Sequence, residues 1–432
     1  MRFDHMETVN QLVSDTYLPK MFRVCQTFRR PALERERIPE ILRGKLEDAG
    51  LGDRLHPGMS IAITAGSRMI ANSVIILREI VRFVRSQGCE PFLVPAMGSH
   101  GGATAQGQRE MLATLGITEE TVGCPIHSSM ETICIGKNDE GVDTYMDRCA
   151  YEADGIIVFN RIKPHSGFRG TYESGLVKMM AVGLGKQRGA AAIHAGGDEY
   201  MAHNICLFGK AILEQSRVLF AVATLENAYD DTAELHVIKA ENILEQELIH
   251  LKKAFTYMPR ILVDQCDVLI VENVGKNFCG GGMDSNITGR FYSNLFSGWL
   301  KTQRIGVLNL SDESHGNANG IGVADVISKR TFDKIDAATS YPNAITTTCH
   351  RNVSIPMVME NDRLVIQTCI KGCYQIDHLR PRVIYIKNTL ELEYVWLSEA
   401  YLDEVSGVEG LTVETEAEDI RFDSQGMIEK LP

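Results

Sequence analysis

The chain has 432 residues, more than one hydrophobic core usually spans, so two domains are expected. Its net charge of −12 excludes the broad basic face that nucleic-acid recognition needs, and 44% apolar with 23% charged residues is ordinary for a soluble globular protein. A small anionic substrate stays compatible, because a local pocket of arginine and histidine can be basic inside an acidic protein.

Residues 1 to about 55 are polar and charge-rich and read as a surface element, with a helical pattern through Pro39-Glu-Ile-Leu-Arg-Gly-Lys-Leu-Glu-Asp. From Ser60 strands and helices alternate: a strand at 60–65, a helix near 70–87, a strand at 91–96, a helix near 104–115 and a strand at 155–159. In the first helix Ile75, Ile76, Ile80, Val81 and Val84 form an apolar stripe suited to packing on a sheet. Such alternation predicts parallel strands with crossover helices. Residues 117–150 read as a small insertion, with strands at Thr132-Ile-Cys-Ile-Gly and Val142-Asp-Thr-Tyr-Met around the turn Asn138-Asp-Glu-Gly141. A strand at 217–224 and a helix at 240–255 follow, and Tyr257-Met-Pro-Arg260 marks the expected domain boundary. Beyond it, 267–272, 305–310 and 383–387 predict strands of a second α/β layer, and the last fifteen residues read as a loose tail. The expected architecture is two α/β domains, 1–260 and 261–432, with mostly parallel sheets and an active-site cleft between them.

Eleven scattered cysteines, an odd count in a large chain, fit reduced thiols better than a disulfide framework. The N-terminus has no apolar signal core, and no apolar run approaches the roughly 18 residues of a membrane helix. The expectation is a cytoplasmic protein with no membrane or nucleic-acid partner.

Three polar side chains fall just past three predicted strands. Arg68 follows Ser60-Ile-Ala-Ile-Thr-Ala-Gly66, His100 follows Pro91-Phe-Leu-Val-Pro-Ala-Met97, and His165 follows Gly155-Ile-Ile-Val-Phe-Asn160. Parallel strands would put all three on one carboxyl edge, where open α/β sheets bind ligands. Glycines around His100 in Gly98-Ser-His-Gly-Gly102 permit a sharp turn, and Pro164 shapes the loop that holds His165. Two imidazoles facing one pocket could take and return a proton on opposite faces of a substrate. Arg68 could clamp a carboxylate through two parallel hydrogen bonds. Each of the three also has a plain reading, as a loop histidine or a turn-capping arginine. Sixteen positions separate Lys178 from His194, which on one continuous helix is about 160° apart. Gly183, Gly185 and Gly189 argue against that helix, so the chain can fold back and bring the two together.

Arg68, Gly98-Ser-His100-Gly, Lys163-Pro-His165-Ser-Gly-Phe, Lys178 and His194 together resemble the nickel-dependent lactate racemase family and its 2-hydroxy-acid racemase and epimerase relatives. The resemblance is good over residues 55–260 and weak beyond. It implies a nickel pincer nucleotide, a pyridinium mononucleotide whose sulfur groups hold the metal, bonded to Lys178 through a thioamide. His194 takes the position of the metal-ligating histidine, and Ser174 is placed with the cofactor. His100 and His165 take the acid/base positions and Arg68 that of the substrate-orienting arginine. The implied reaction removes the C2 hydroxyl proton and a hydride, passes through a planar 2-oxo acid, and returns both to invert the centre.

The departures bear on substrate. The family's Thr-Arg-Pro is here Ser67-Arg-Met, and the stretch from His165 to Lys178 runs longer through Arg169-Gly-Thr-Tyr-Glu-Ser174. A substrate larger or more polar than lactate is therefore expected, such as malate, hydroxyglutarate or a sugar acid like gluconate. Lys276, in Val274-Gly-Lys-Asn-Phe-Cys-Gly-Gly-Gly-Met-Asp284, is the loose candidate for the C-domain lysine that contacts substrate in the family. Cofactor-maturation enzymes are the implied partners, with a homodimer possible. Two rivals remain open: a zinc hydrolase using the same histidines, and a non-catalytic hydroxy-acid binder.

Overall fold

The computed structural model describes residue 3 and residues 6–432. The chain forms two units, a central one of Arg29–Met258 and a terminal one that combines Met1–Phe28 with Pro259–Pro432. Residues 6–28 therefore group with the terminal unit, whereas the sequence analysis places 1–260 in one domain. Their strand Met21–Gln26 pairs antiparallel with Tyr394–Ser398 and with Leu411–Val413, and Phe22 and Val24 are buried in the terminal core. A short polar lead hides this strand, because its apolar pattern covers only a few positions.

The central unit is built on a five-stranded sheet in the order Glu90–Pro95, Ser60–Ala65, Gly155–Arg161, Val218–Glu226, Thr232–Lys239. The first four strands are parallel and the last is antiparallel. Runs such as Ile61-Ala-Ile63 and Ile156-Ile-Val158 are buried because helices cover such a sheet on its faces. Helix Ser73–Ser86 lays Ile76, Leu77, Ile80, Val81 and Val84 into the core, beside Ile38, Leu42 and Leu46 of helix Ile38–Asp48. That second helix is a core element and not only a surface lead. The predicted insertion is a hairpin, Thr132–Lys137 against Asp143–Asp147, and a long helix, Asp198–Gln215, follows the site.

The terminal unit has an eight-stranded sheet whose parallel part runs Met357–Met359, Val326–Ser328, Lys301–Leu310, Gln265–Val274, Val383–Ile386. The C-terminal residues are not a loose tail. Arg421–Phe422 pairs with Ile428–Lys430, Phe422 and Ile428 pack on the core, and the Trp396 indole donates to the Pro432 carbonyl at 2.7 Å. No helix among the described residues is long and apolar enough to cross a membrane.

Candidate active site

The loops after Ser60–Ala65, Glu90–Pro95 and Gly155–Arg161 leave the same edge of the central sheet. The chain crosses from Ser60–Ala65 to Glu90–Pro95 on one side and then to Gly155–Arg161 on the other. At such a reversal the loops diverge and leave a crevice. Arg68, His100 and His165 stand around it.

The Lys178 segment is laid along this crevice. Asn160 donates from Nδ2 to the Gly175 carbonyl at 2.8 Å, and the backbone of Ser174 pairs with that of Lys163 at 2.8 and 3.1 Å. The chain then winds as a short helix, Leu176–Lys178, and as a wider π-helix, Met179–Leu184. The buried Glu247 carboxylate accepts from the Val177 N–H at 2.9 Å, satisfying a donor that a helix start leaves open. At Gly183 a Cβ would lie 2.7 Å from the Ala96 carbonyl oxygen, so only glycine lets the π segment lie against the His100 loop. The Gly98 N–H donates to the Gly183 carbonyl at 3.2 Å. Helix Lys186–His194 begins at Lys186, whose φ of 52° breaks the path of the preceding turns. Lys178 and His194 are thus on separate helical pieces.

Burial dominates the electrostatics. It pushes the Lys178 ammonium down to about 7, helped by the charges of Arg68 and Lys163 and opposed by Glu173. Burial, then the Lys178 charge, pushes His194 down to about 4. His165 is held well below the usual histidine range by burial and then by Lys178, Lys163, Arg169 and His194. These mutual effects place Arg68, Lys163, His165, Lys178 and His194 in one electrostatic neighbourhood. Phe168 stacks on the His165 ring with centroids 4.3 Å apart, and the Lys178 Nζ lies 5.7 Å from the Phe168 centroid.

Each candidate base is held by a residue the sequence did not single out. The Ser67 Oγ is 2.5 Å from His100 Nδ1. The Glu173 carboxylate, only 2% exposed, accepts from the His165 N–H at 2.7 Å and sits 3.4 Å from the Arg169 guanidinium. The Gly167 N–H donates to His165 Nδ1 at 2.9 Å, so the neutral ring carries its proton on Nε2. The longer stretch through Arg169 and Glu173, read from sequence as a substrate feature, therefore builds the His165 loop. Adjacency in sequence could have found Ser67. Nothing local points to Glu247, seventy positions from Val177.

Lys276 belongs to the terminal unit, where its Nζ donates to the Gly280 carbonyl at 2.8 Å and its N–H donates to Ser314 Oγ at 2.8 Å. Among the described residues, no three His, Cys, Asp or Glu side chains gather as a metal site.

Residues 9–201 match the lactate racemase N-terminal domain family. No curated protein matches the chain. Among solved structures, the lactate racemase apoprotein from Thermoanaerobacterium thermosaccharolyticum is similar at 16% identity and a TM-score of 0.41, over 72% of this chain and 70% of that one. The sequence match spans Arg68, His100, His165, Lys178 and His194, so over these residues the chain is similar to the lactate racemase N-terminal domain.

Proposed function

We propose that the central site inverts C2 of a 2-hydroxy acid larger or more polar than lactate, as a racemase or epimerase using a nickel pincer nucleotide tethered to Lys178. The match of residues 9–201 to the lactate racemase N-terminal domain supports hydroxy-acid racemase or epimerase chemistry in general terms. The observation that carries the finer reading is the gathering of Arg68, His100, His165, Lys178 and His194 at one sheet edge.

The residues present fit such a group. His194 Nδ1 is buried without a hydrogen-bond partner among the described residues, and a neutral imidazole is a good nickel ligand. Among the described residues His194 is not in a group of three His, Cys, Asp or Glu side chains, which suits a metal whose other donors belong to an organic molecule. Lys178 near neutrality has the lone pair that covalent attachment needs. When bound, the group would supply a reversible hydride acceptor at C2.

The chain's own residues do the rest. Arg68 would pair with the substrate carboxylate, fixing C2 relative to both imidazoles. One of His100 and His165 takes the hydroxyl proton, and the other returns a proton to the oxygen once the centre is inverted. Ser67 holds the His100 ring, and Glu173 holds the backbone of His165. Lys163 has no ion pair among the described residues, so it is a cation available to a second polar group on the substrate. That supports malate, hydroxyglutarate or a sugar acid over lactate.

The test is protein produced with the cofactor-maturation enzymes, analysed for metal and for the mass of the tryptic peptide holding Lys178. It is then offered enantiopure lactate, malate, 2-hydroxyglutarate, phenyllactate and gluconate. Nickel, a mass increment on Lys178 and loss of optical purity with one acid are expected. Zinc without nickel would make it a hydrolase, and an unmodified lysine with no turnover would make it a binder.

A further inference from the structure

We infer that Lys186 is a positioning residue tying the His100 loop to the helix that ends at His194, an inference that rests on the functional reading above for the importance of those two arms. Lys186 combines two unfavourable features. Its side chain is fully buried although cationic, and its backbone has a φ of 52°, where residues other than glycine are strained. Such a residue persists only where its surroundings hold it in place.

Those surroundings are specific. The ammonium donates to Gln108 Oε1 at 3.0 Å and to the Pro95 carbonyl at 2.5 Å, and it is ion-paired with Asp147 Oδ2 at 3.1 Å. Asp147 is as buried as Lys186. Each of these three partners comes from a different element. Pro95 ends the strand that leads into the His100 loop, Gln108 lies in helix Ala105–Thr114 that leaves it, and Asp147 ends the hairpin. Lys186 itself opens the helix that carries His194 and directly follows the π segment behind Lys178.

The network continues into the loop. Gln108 is fully buried and donates from Nε2 to the carbonyls of Gly98 at 2.9 Å and His100 at 3.2 Å. Its amide orientation is fixed at both ends, oxygen toward a cation and nitrogen toward two carbonyls. The backbone of His100 is thereby referred to Lys186, while Ser67 sets its ring. A methionine would fill the same volume but would leave the Pro95 and Gln108 oxygens without a donor.

Hydrogen–deuterium exchange of the apoprotein tests this without any substrate. Gln108→Glu keeps an acceptor for Lys186 and loses the donor to the loop. Exchange in residues 98–103 should then rise by about tenfold or more, with residues 187–194 and the strand Ser60–Ala65 unchanged. The pair Lys186→Met with Asp147→Asn removes the buried charges and keeps the Asp147 bond to the Ala150 N–H. It should speed exchange in both 98–103 and 187–194. If Gln108→Glu leaves residues 98–103 within about twofold of wild type, the assignment is wrong, whether or not the double variant folds. In protein with cofactor, kcat for the acid turned over should fall by about tenfold in Gln108→Glu, with KM within about twofold because Arg68 is untouched. The expected rise in exchange, with no turnover of any of the acids by wild type, would instead count against the functional reading.

Discussion

Two parallel sheets in this molecule end in loops of opposite character. At the carboxyl edge of the central sheet the side chains are ionisable and buried, and their protonation is displaced: Lys178 to about 7, His194 to about 4 and His165 well below its usual range. At the same edge of the terminal sheet hydroxyls, amides and paired carboxylates tie the loops. Ser311 Oγ meets Asn277 Oδ1 at 2.7 Å and Ser314 Oγ at 2.8 Å, and Asp284 Oδ1 accepts from the Asn286 N–H at 2.9 Å. Among the terminal unit's displaced groups, Cys266, Cys369, Cys373, Tyr385 and Tyr401 lie elsewhere and are pushed upward mainly by burial. Burial there favours the protonated, unreactive form. Burial of amines and imidazoles favours the deprotonated form, which is the nucleophile and the ligand. The sheet edge alone does not make a site; the residue type placed in the same low-dielectric setting does.

The largest effects that would break this contrast come from removing those groups. Lys178→Ala should abolish cofactor retention entirely, read as loss of nickel and of the mass increment. His100→Ala and His165→Ala should retain both and lose about 10²–10⁴-fold in turnover, the usual worth of a positioned acid or base. Near-normal turnover in either histidine variant would remove it from the proton path.

Next in size is the pH response of the Lys178 amine. Because its folded pKa of about 7 is lower than that of an exposed lysine, the amine gains its lone pair as pH rises through 7. At pH 8 the neutral form should exceed the charged one by about tenfold, against a small fraction for ordinary lysines. Acylation of apoprotein followed by peptide mapping should therefore mark Lys178 first at pH 8, and the preference should fade toward pH 6. The sign for stability is the same. The unfolded chain binds the extra proton between about 7 and 10, so this group's contribution improves as pH rises across that window. In the terminal unit the raised thiols predict the reverse: Cys266, Cys369 and Cys373 should resist alkylation at pH 8 until the protein unfolds, whereas exposed Cys134 reacts.

How much of this was legible follows the same division. The alternation of apolar runs and helical stripes from Ser60 to Gly155 announced the central sheet, because long buried segments carry long patterns. Arg68, His100 and His165 could be placed because each follows a strand closely. What stayed hidden depends on distant parts of the chain. Met21–Gln26 enters a sheet whose partner strands lie beyond residue 390, Glu247 reaches back to Val177, and Lys186 looks like any lysine after a glycine until Asp147, Gln108 and Pro95 close around it. The longer stretch through Glu173 was visible, but its purpose was not, since a carboxylate holding a loop and one facing a substrate are the same letter.

A smaller effect separates those two purposes. Glu173→Leu would strip the His165 N–H and the Gly170 N–H of their acceptor, costing about 1–3 kcal/mol in urea unfolding. Its equivalent in the terminal unit is Ser314→Ala, which loses the bonds to Ser311 and to the Lys276 N–H and should cost about 1 kcal/mol. Both variants lose stability, yet only Glu173→Leu should also change the rate of racemisation. Equal rates in the two would mean that the His165 loop needs no carboxylate to hold it.

The smallest effect expected is at Ser67, and it is the most selective. Its hydroxyl meets His100 Nδ1 and can donate or accept, so it can follow the ring through both protonation states. The Gly167 N–H at His165 can only donate, which favours the form of that ring with Nδ1 unprotonated. Loss of one neutral hydrogen bond of about 1 kcal/mol corresponds to roughly fivefold in rate. Ser67→Ala should lower turnover by that amount without changing unfolding, and Ser67→Thr, which keeps a hydroxyl, should restore most of it. A drop in both variants would mean that space beside His100, and not the hydroxyl, is what the ring requires.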